Sequence, residues 1–442
     1  MTETHADAGL ADWPFLPGRA PRIVGGKGAW LIADDGRRIL DAAGGAIVTN
    51  VGHGRAEVME AIASAGAASA YVVPPWRTPE REALAERLRR DWLPDGLHHV
   101  HLTSGGSEGV ESAVKIALLH FAARGETKRL KVMARELSYH GTTIAMAGLS
   151  GHPSRKRGLE GFLTSYPVAP TPSPLRCPLG AHHPDAGRHY LAATRAAIEA
   201  EGPDTIAAFV AEPITGSSGG AIVPPDDYLP GLRALCDEFG ILLIIDEVMT
   251  GFGRTGARFG VEHWGVAPDI LVSGKGLGGG YAAICGVFAT HAVAEPLAEA
   301  GLEVMFHTFA ALPSACAAAG KVLEILTREG LVERAAALGD HLSARLSARL
   351  GQHPHVAEIR GRGLLQAVEI VSDRSSLAPF DAADRITSRI VGHGLQRGVF
   401  FYPGGTGAAR DIICLGPPLI VSEDEIEQMV EALAGAIDDV LH

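Results

Sequence analysis

Hydrophobic positions recur along this chain with two periods. Over residues 107–124, Val110, Val114, Ala117, Leu118 and Phe121 fall on one face of a helix. Over residues 422–441, Ile426, Met429, Val430 and Leu433 do the same behind an acidic Ser-Glu-Asp-Glu start suited to a capped amino end. The centre instead alternates short, nearly continuous apolar runs with helical stretches. Residues 100–102, 132–134, 206–211, 241–245 and 270–272 read as strands buried on both faces, and 229–239 as a helix between two of them. This βαβ rhythm predicts an α/β domain around a mostly parallel sheet.

The last third reads as a smaller α+β unit. Helices are expected over 314–328, 331–349 and 382–397, and strands over 356–359, 364–370, 399–402 and 412–415. Residues 30–40, interrupted by Asp34-Asp35-Gly36, predict a hairpin with no core of its own that packs on that unit. Pro-rich 168–184 reads as an irregular surface loop. The expected division is an N-terminal segment over 1–59 packing with the small domain, a large domain over 60–312 and the small domain over 313–442.

Composition narrows the function classes. Apolar residues make up 46% and charged ones 20%, enough for a large core and incompatible with wholesale disorder. Lys and Arg number 39 against 51 Asp and Glu, a net charge of −12, which disfavours nucleic acid and anionic membrane surfaces as partners. No apolar run reaches the ~18 residues of a membrane span. The stretch 1–17 lacks the basic start and apolar centre of a secretory leader, so the cytoplasm is the expected location. Cys177, Cys236, Cys285, Cys316 and Cys414 form no CxxC pair. They read as buried, reduced thiols, and no metal site is expected.

Three clusters stand at predicted strand ends, where open α/β sheets place ligands. Thr103-Ser104-Gly105-Gly106-Ser107-Glu108 joins a strand to a long helix, and reads either as a phosphate cradle or as a glycine-rich turn with a serine cap. Asp246 ends an apolar strand; it either faces a cation or caps the turn before Gly251. Lys275 follows another apolar strand and is hemmed by glycines. A desolvated amine there is a nucleophile toward carbonyls, while a solvated loop lysine is the plainer alternative. Gly274–Gly279 also matches GxGxxG, but residues 281–289 read as a strand rather than the helix a dinucleotide site requires. Jointly, an anion cradle, a carboxylate for a ring nitrogen and an imine-forming lysine are what pyridoxal 5'-phosphate (PLP) asks for.

These residues lie within a longer set of motifs: DAAGGAIVTNVGHG at 41–54, Tyr139-His140-Gly141, Ala211-Glu212-Pro213, IDEVMTGFGRTG at 245–256, His307-Thr308-Phe309 and Pro417-Pro418-Leu419. With them the chain, from about Trp30 onward, resembles the class III (omega) aminotransferases of PLP fold type I. The resemblance implies a large domain with a mostly parallel sheet, a smaller α+β domain, and a homodimer with shared active sites. It implies that Lys275 holds the cofactor and moves protons, and that Asp246 pairs with the pyridine nitrogen. Gly106 and Ser107 would bind the phosphate, with Gly105 allowing close approach. Tyr139 and Val248 would cover the two ring faces, Glu212 would stand near the phenolic oxygen and substrate, and Thr308 would reach the neighbouring subunit's phosphate. His140, Gly141, Arg254 and Thr255 look mainly structural.

The chain departs from the family pattern in places. Ala310-Ala311-Leu312-Pro313 follows Thr308, Gly105 stands where Ser is common, and Cys414 stands where members acting on ornithine or 4-aminobutyrate carry Arg. Losing that guanidinium removes a bidentate carboxylate clamp. Arg410, in the loop 403–410, resembles a mobile arginine that accepts a carboxylate or an apolar group, and reads equally as a solvated loop residue. Ile47 and Val73 would widen the substrate pocket, and Trp76 would supply an aromatic wall or be core. The implied activity is amino transfer from an amine or omega-amino acid to a 2-oxo acid, pyruvate foremost, by a ping-pong mechanism. An aminomutase, a racemase or epimerase and a decarboxylating aminotransferase are the alternatives. A cofactor-binding protein that has lost catalysis is disfavoured, because Lys275 and Asp246 are both present.

Overall fold

The computed structural model describes residues 21–441; the leader reading over 1–17 lies outside the described residues, as does the start of the expected N-terminal segment. Strands β1 (Ile23–Lys27), β2 (Trp30–Ala33) and β3 (Arg38–Asp41) form an antiparallel meander. The β2–β3 turn is the foreseen one, with the Asp35 carboxylate accepting the Arg37 backbone N–H at 3.0 Å. β1 escaped the sequence reading because Ile-Val-Gly-Gly-Lys is mostly exposed and its glycines blur any alternation.

The central sheet contains β4 (Leu97–Thr103), β5 (Lys131–Arg135), β6 (Val168–Ala169), β7 (Ile206–Ala211), β8 (Leu242–Asp246), β9 (Ile270–Ser273) and β10 (Cys285–Thr290), in the order β4-β10-β9-β8-β7-β5-β6. From β6 to β9 the strands run parallel. β10 runs against both β9 and β4, so the chain returns from β9 without a crossover helix. That reversal explains why residues 281–284 are turn and the strand starts only at Cys285. The foreseen face of the helix Gly106–Ala123 packs on this sheet: Val110, Ala113, Val114 and Ala117 share a buried cluster with Ile244, Ile270 and Val272.

The C-terminal sheet takes β11 (Val356–Arg362), β12 (Leu365–Ile370), β14 (Tyr402–Thr406) and β15 (Ala409–Leu415) in antiparallel order β11-β12-β15-β14, while β13 (Val399–Phe400) instead pairs in parallel with β3. The single strand expected over 399–402 is thus two, split at the fully buried Phe401. The helix expected from Ala382 begins at Ile386, because Asp381 caps a separate short turn and Arg385 breaks it with φ +49°. Arg254 ties distant segments together. Its buried guanidinium donates to the carbonyls of Thr49 at 3.1 Å, Leu364 at 3.3 Å and Pro417 at 2.5 Å. All five cysteines are buried and unpaired. No helix among the described residues is long and apolar enough to cross a membrane.

Candidate active site

The carboxyl ends of the parallel strands and the start of one helix meet at a cavity of about 160 Å³. β8 ends in Asp246, β9 leads through Gly274 to Lys275, and β7 runs into Glu212. β5 leads to Tyr139-His140-Gly141, and β4 passes through Gly105 into the helix that begins at Gly106. Gly106, Ser107, Tyr139, Glu212, Asp246, Val248 and Lys275 all line this one space, with His140 and Thr250 among their neighbours. Larger clefts of about 490 and 550 Å³ lie beside Arg360 and Arg81, but neither is lined by a lysine.

Asp246 is 4% exposed and fully engaged by the protein. Its Oδ2 accepts from His140 Nδ1 at 2.8 Å, and its Oδ1 accepts from the Val248 backbone N–H at 3.0 Å. The turn-capping role weighed from sequence is therefore real for one oxygen. The His140 link was missed, because Asp246 and His140 lie 106 positions apart and no local pattern joins them. His140 is itself placed by its backbone N–H donating to Ser150 Oγ at 2.8 Å. Its Nε2 is buried and has no protein partner.

Glu212 accepts from the Gly216 N–H at 2.7 Å and from the Tyr139 N–H at 3.2 Å, while Arg135 donates to its carbonyl. Burial pushes its carboxyl above the usual range, and the Asp246 charge adds to that, against His140 and Arg135. Lys275 adopts φ +40°, a left-handed backbone that an L-residue rarely takes. Burial lowers its amine to about 8, while the Asp246 and Glu212 carboxylates pull the other way. Neutral amine, the nucleophilic form, therefore builds up through about pH 8 rather than 10.5. Covalent capture of PLP by the apoprotein, trapped with borohydride and read by mass, is expected to rise with pH to a midpoint near 8. A midpoint near 10 would show a solvated lysine.

Ser107 Oγ accepts from the Thr142 N–H at 3.0 Å, which leaves its own O–H free to donate. The first-turn N–H groups of this helix, at Gly106 and Ser107, have no intrahelical partner. Close approach accounts for two glycines here. A Cβ on Gly106 would lie 2.9 Å from Val248 Cγ1, and one on Gly141, at φ +136°, would lie 2.7 Å from Ser107 Oγ. Gly105 is different: its backbone is extended, and a Cβ would meet nothing within 4 Å. No protein atom accounts for a glycine at 105, so close approach there concerns a bound phosphate alone.

Other nominated residues lie elsewhere in this chain. Ile47 is 2% exposed, with φ +58°, and packs on Gly416 in a buried cluster with Ile412, Cys414 and the cavity-lining Ile214, without itself bordering the cavity. Trp76 is 70% exposed, which overturns its core reading. Val73 is half-buried and does not border the cavity. Arg410 lies on β15 rather than in a loop, beside a separate groove lined by Ser154, Arg385 and Asp411. Thr308 is exposed, next to the exposed Phe309. Sequence reasoning also missed Arg155, whose guanidinium lies 4.4 Å above the Tyr139 ring.

The chain is similar to known proteins along nearly its whole length. The family description "Aminotransferase class-III" matches residues 20–437. The chain is 34% identical to a taurine–pyruvate aminotransferase of Rhodobacter capsulatus, over 94% of this chain and 91% of the relative. It superposes on a thermostable (S)-enantioselective omega-transaminase from Thermomicrobium roseum with a TM-score of 0.90 at 36% identity, covering 96% and 93% of the two chains. An amine transaminase from an uncultivated Pseudomonas species, solved in a PLP-bound form, superposes with a TM-score of 0.92 at 34% identity, covering 98% and 99%.

Proposed function

The chain belongs to the class III aminotransferases, a PLP-dependent enzyme family of fold type I, and from that premise we propose that it moves an amino group from an amine or omega-amino acid to a 2-oxo acid, pyruvate foremost, in two half-reactions at one site. The observation that carries this reading is the meeting of Lys275, Asp246 and the helix start at Gly106–Ser107 in one cavity. The donor set suits PLP: an oriented carboxylate for a ring nitrogen, an amine lowered to about 8 for an aldehyde, and free N–H and O–H groups for a phosphate. When bound, the cofactor supplies an aldehyde that carries the amino group and a ring that takes up an electron pair from the substrate carbon.

Around it the chain's own residues divide the work. Lys275 would hold the cofactor and, when free of it, would take and return the proton at the substrate carbon. Asp246, steadied by His140 and Val248, would pair with the cofactor's ring nitrogen. Tyr139 and Val248 would cover the two faces of the cofactor ring, and Glu212 would stand near its phenolic oxygen. Thr308 serves the site of a second copy, which makes the working unit a homodimer. The buried Cys414, 1% exposed, offers no guanidinium where ornithine- and 4-aminobutyrate-type members carry one, so those two donors are disfavoured. Pyruvate is favoured as acceptor by the Rhodobacter relative, named for taurine and pyruvate. Domains over 1–59, 60–312 and 313–442 and a cytoplasmic location complete the proposal.

A donor and acceptor panel tests it. Amine donors should bleach the visible absorbance of the bound cofactor, and pyruvate should restore it with release of alanine. Ketone appearing without isomerised amino acid or carbon dioxide separates transamination from the isomerase and decarboxylase alternatives. A holoenzyme that no amine in a broad panel bleaches is not a transaminase of this kind.

A further inference from the structure

We propose that Arg155 reads the substrate carboxylate at this site and so sets the preference for 2-oxo acids over carboxylate-free carbonyl compounds, an inference that rests on the aminotransferase reading above. The need for such a group follows from the cavity's charge. Asp246 and Glu212 both carry carboxyl groups at its inner wall, so a third, brought in by substrate, is disfavoured there. A 2-oxo acid therefore needs a cation toward the rim.

Most guanidiniums nearby are already engaged. Arg135 donates to the Glu212 carbonyl, Arg254 to three backbone carbonyls, and Arg360 to Glu358 and Glu369. Arg410 borders a different groove, and Cys414 is a buried thiol. His152 contributes no charge, because burial, with Arg155 beside it, lowers its imidazole to about 4. Arg155 is exposed, and no carboxylate pairs with it among the described residues. Its neighbour Lys156 is turned away, donating to the Gly148 carbonyl at 2.8 Å.

Position and geometry agree with the role. Arg155 stacks at 4.4 Å on Tyr139, and Tyr139 shares the cavity wall with Lys275. Its charge is felt at Lys275, where it is one of the influences that lower the amine. The Arg155 guanidinium lies over the Tyr139 ring and carries five N–H donors, so that contact leaves enough of them to take a carboxylate.

The test compares kcat/KM for pyruvate with kcat/KM for butanal, both with one amine donor and the holoenzyme. In Arg155→Gln the pyruvate-to-butanal ratio is expected to fall about 10- to 100-fold, the worth of a charge-assisted bidentate contact. Arg155→Lys, which keeps the charge and loses the fork, is expected to fall in between, and it decides the matter if the Gln variant does not fold. A purely structural role would lower both substrates together and leave the ratio within about twofold; that result overturns the inference. So does a ratio that falls in Arg410→Gln but holds in Arg155→Gln. Failure of the wild-type enzyme to transaminate either acceptor strikes at the aminotransferase reading instead, whereas robust turnover with an unmoved ratio strikes at Arg155 alone.

Discussion

Replacing Lys275 with Ala is expected to lower kcat by at least about three orders of magnitude, the combined weight of a lost nucleophile and a lost proton carrier. No other group lining the cavity is placed to stand in. His140 has committed Nδ1 to Asp246, and Glu212 is held by the Gly216 and Tyr139 N–H groups. The loss should come without unfolding, and the sign of the amine's shift says why. The folded-state amine lies near 8 against 10.5 unfolded. Below about pH 8 both states are protonated, and the folded state carries the full penalty of a desolvated ammonium, on the order of 3 kcal/mol at most. As pH rises from 8 to 10.5 the folded state sheds its proton first and the penalty disappears. Compared as apoproteins, the variant should therefore be at least as stable as the wild type at pH 7, and the advantage should be gone by pH 10.5. Thermal unfolding across that range, beside steady-state kinetics, checks both halves. Activity within tenfold of wild type would end the role given to Lys275.

The extent to which sequence alone anticipated this site follows the range of the forces involved. Burial periodicity is local, so the helix Gly106–Ala123 and the strands β7, β8 and β9 are legible within a residue or two, and with them the strand ends that carry Glu212, Asp246 and Lys275. Strand direction is not local. The reversal of β10 depends on a glycine-rich return after Lys275 that a period count does not register. The division of 399–402 between two sheets depends on β3, far back in the chain. Side-chain partners are less legible still: the His140–Asp246 bond and the Arg155–Tyr139 stack arise only when separate loops are brought to one sheet edge. Ile47 shows the same limit from the other side. Expected to widen the pocket, it is turned by a left-handed backbone onto Gly416, one layer behind the cavity-lining Ile214.

Asp246→Asn is the second large effect expected, a fall in kcat of about two to three orders of magnitude with the protein intact. The amide is nearly isosteric, and its oxygen can still accept one of the two bonds that Asp246 now takes from His140 and Val248. What it loses is the charge, and its NH2 presents a donor where a carboxylate oxygen accepted, so it cannot hold a protonated ring nitrogen. The buried His140 also loses half of a charge-assisted pair whose other ring nitrogen already lacks a partner. A second readout separates electrostatics from misfolding. The Asp246 charge is the largest influence holding the Lys275 amine up against burial, so its removal should move the midpoint of cofactor capture by the apoprotein below 8. A variant with lower kcat and an acid-shifted capture midpoint fits the pairing of these two residues across one cofactor. A variant with near-normal kcat and a midpoint still near 8 would show that the 246 carboxylate faces neither the lysine nor the ring.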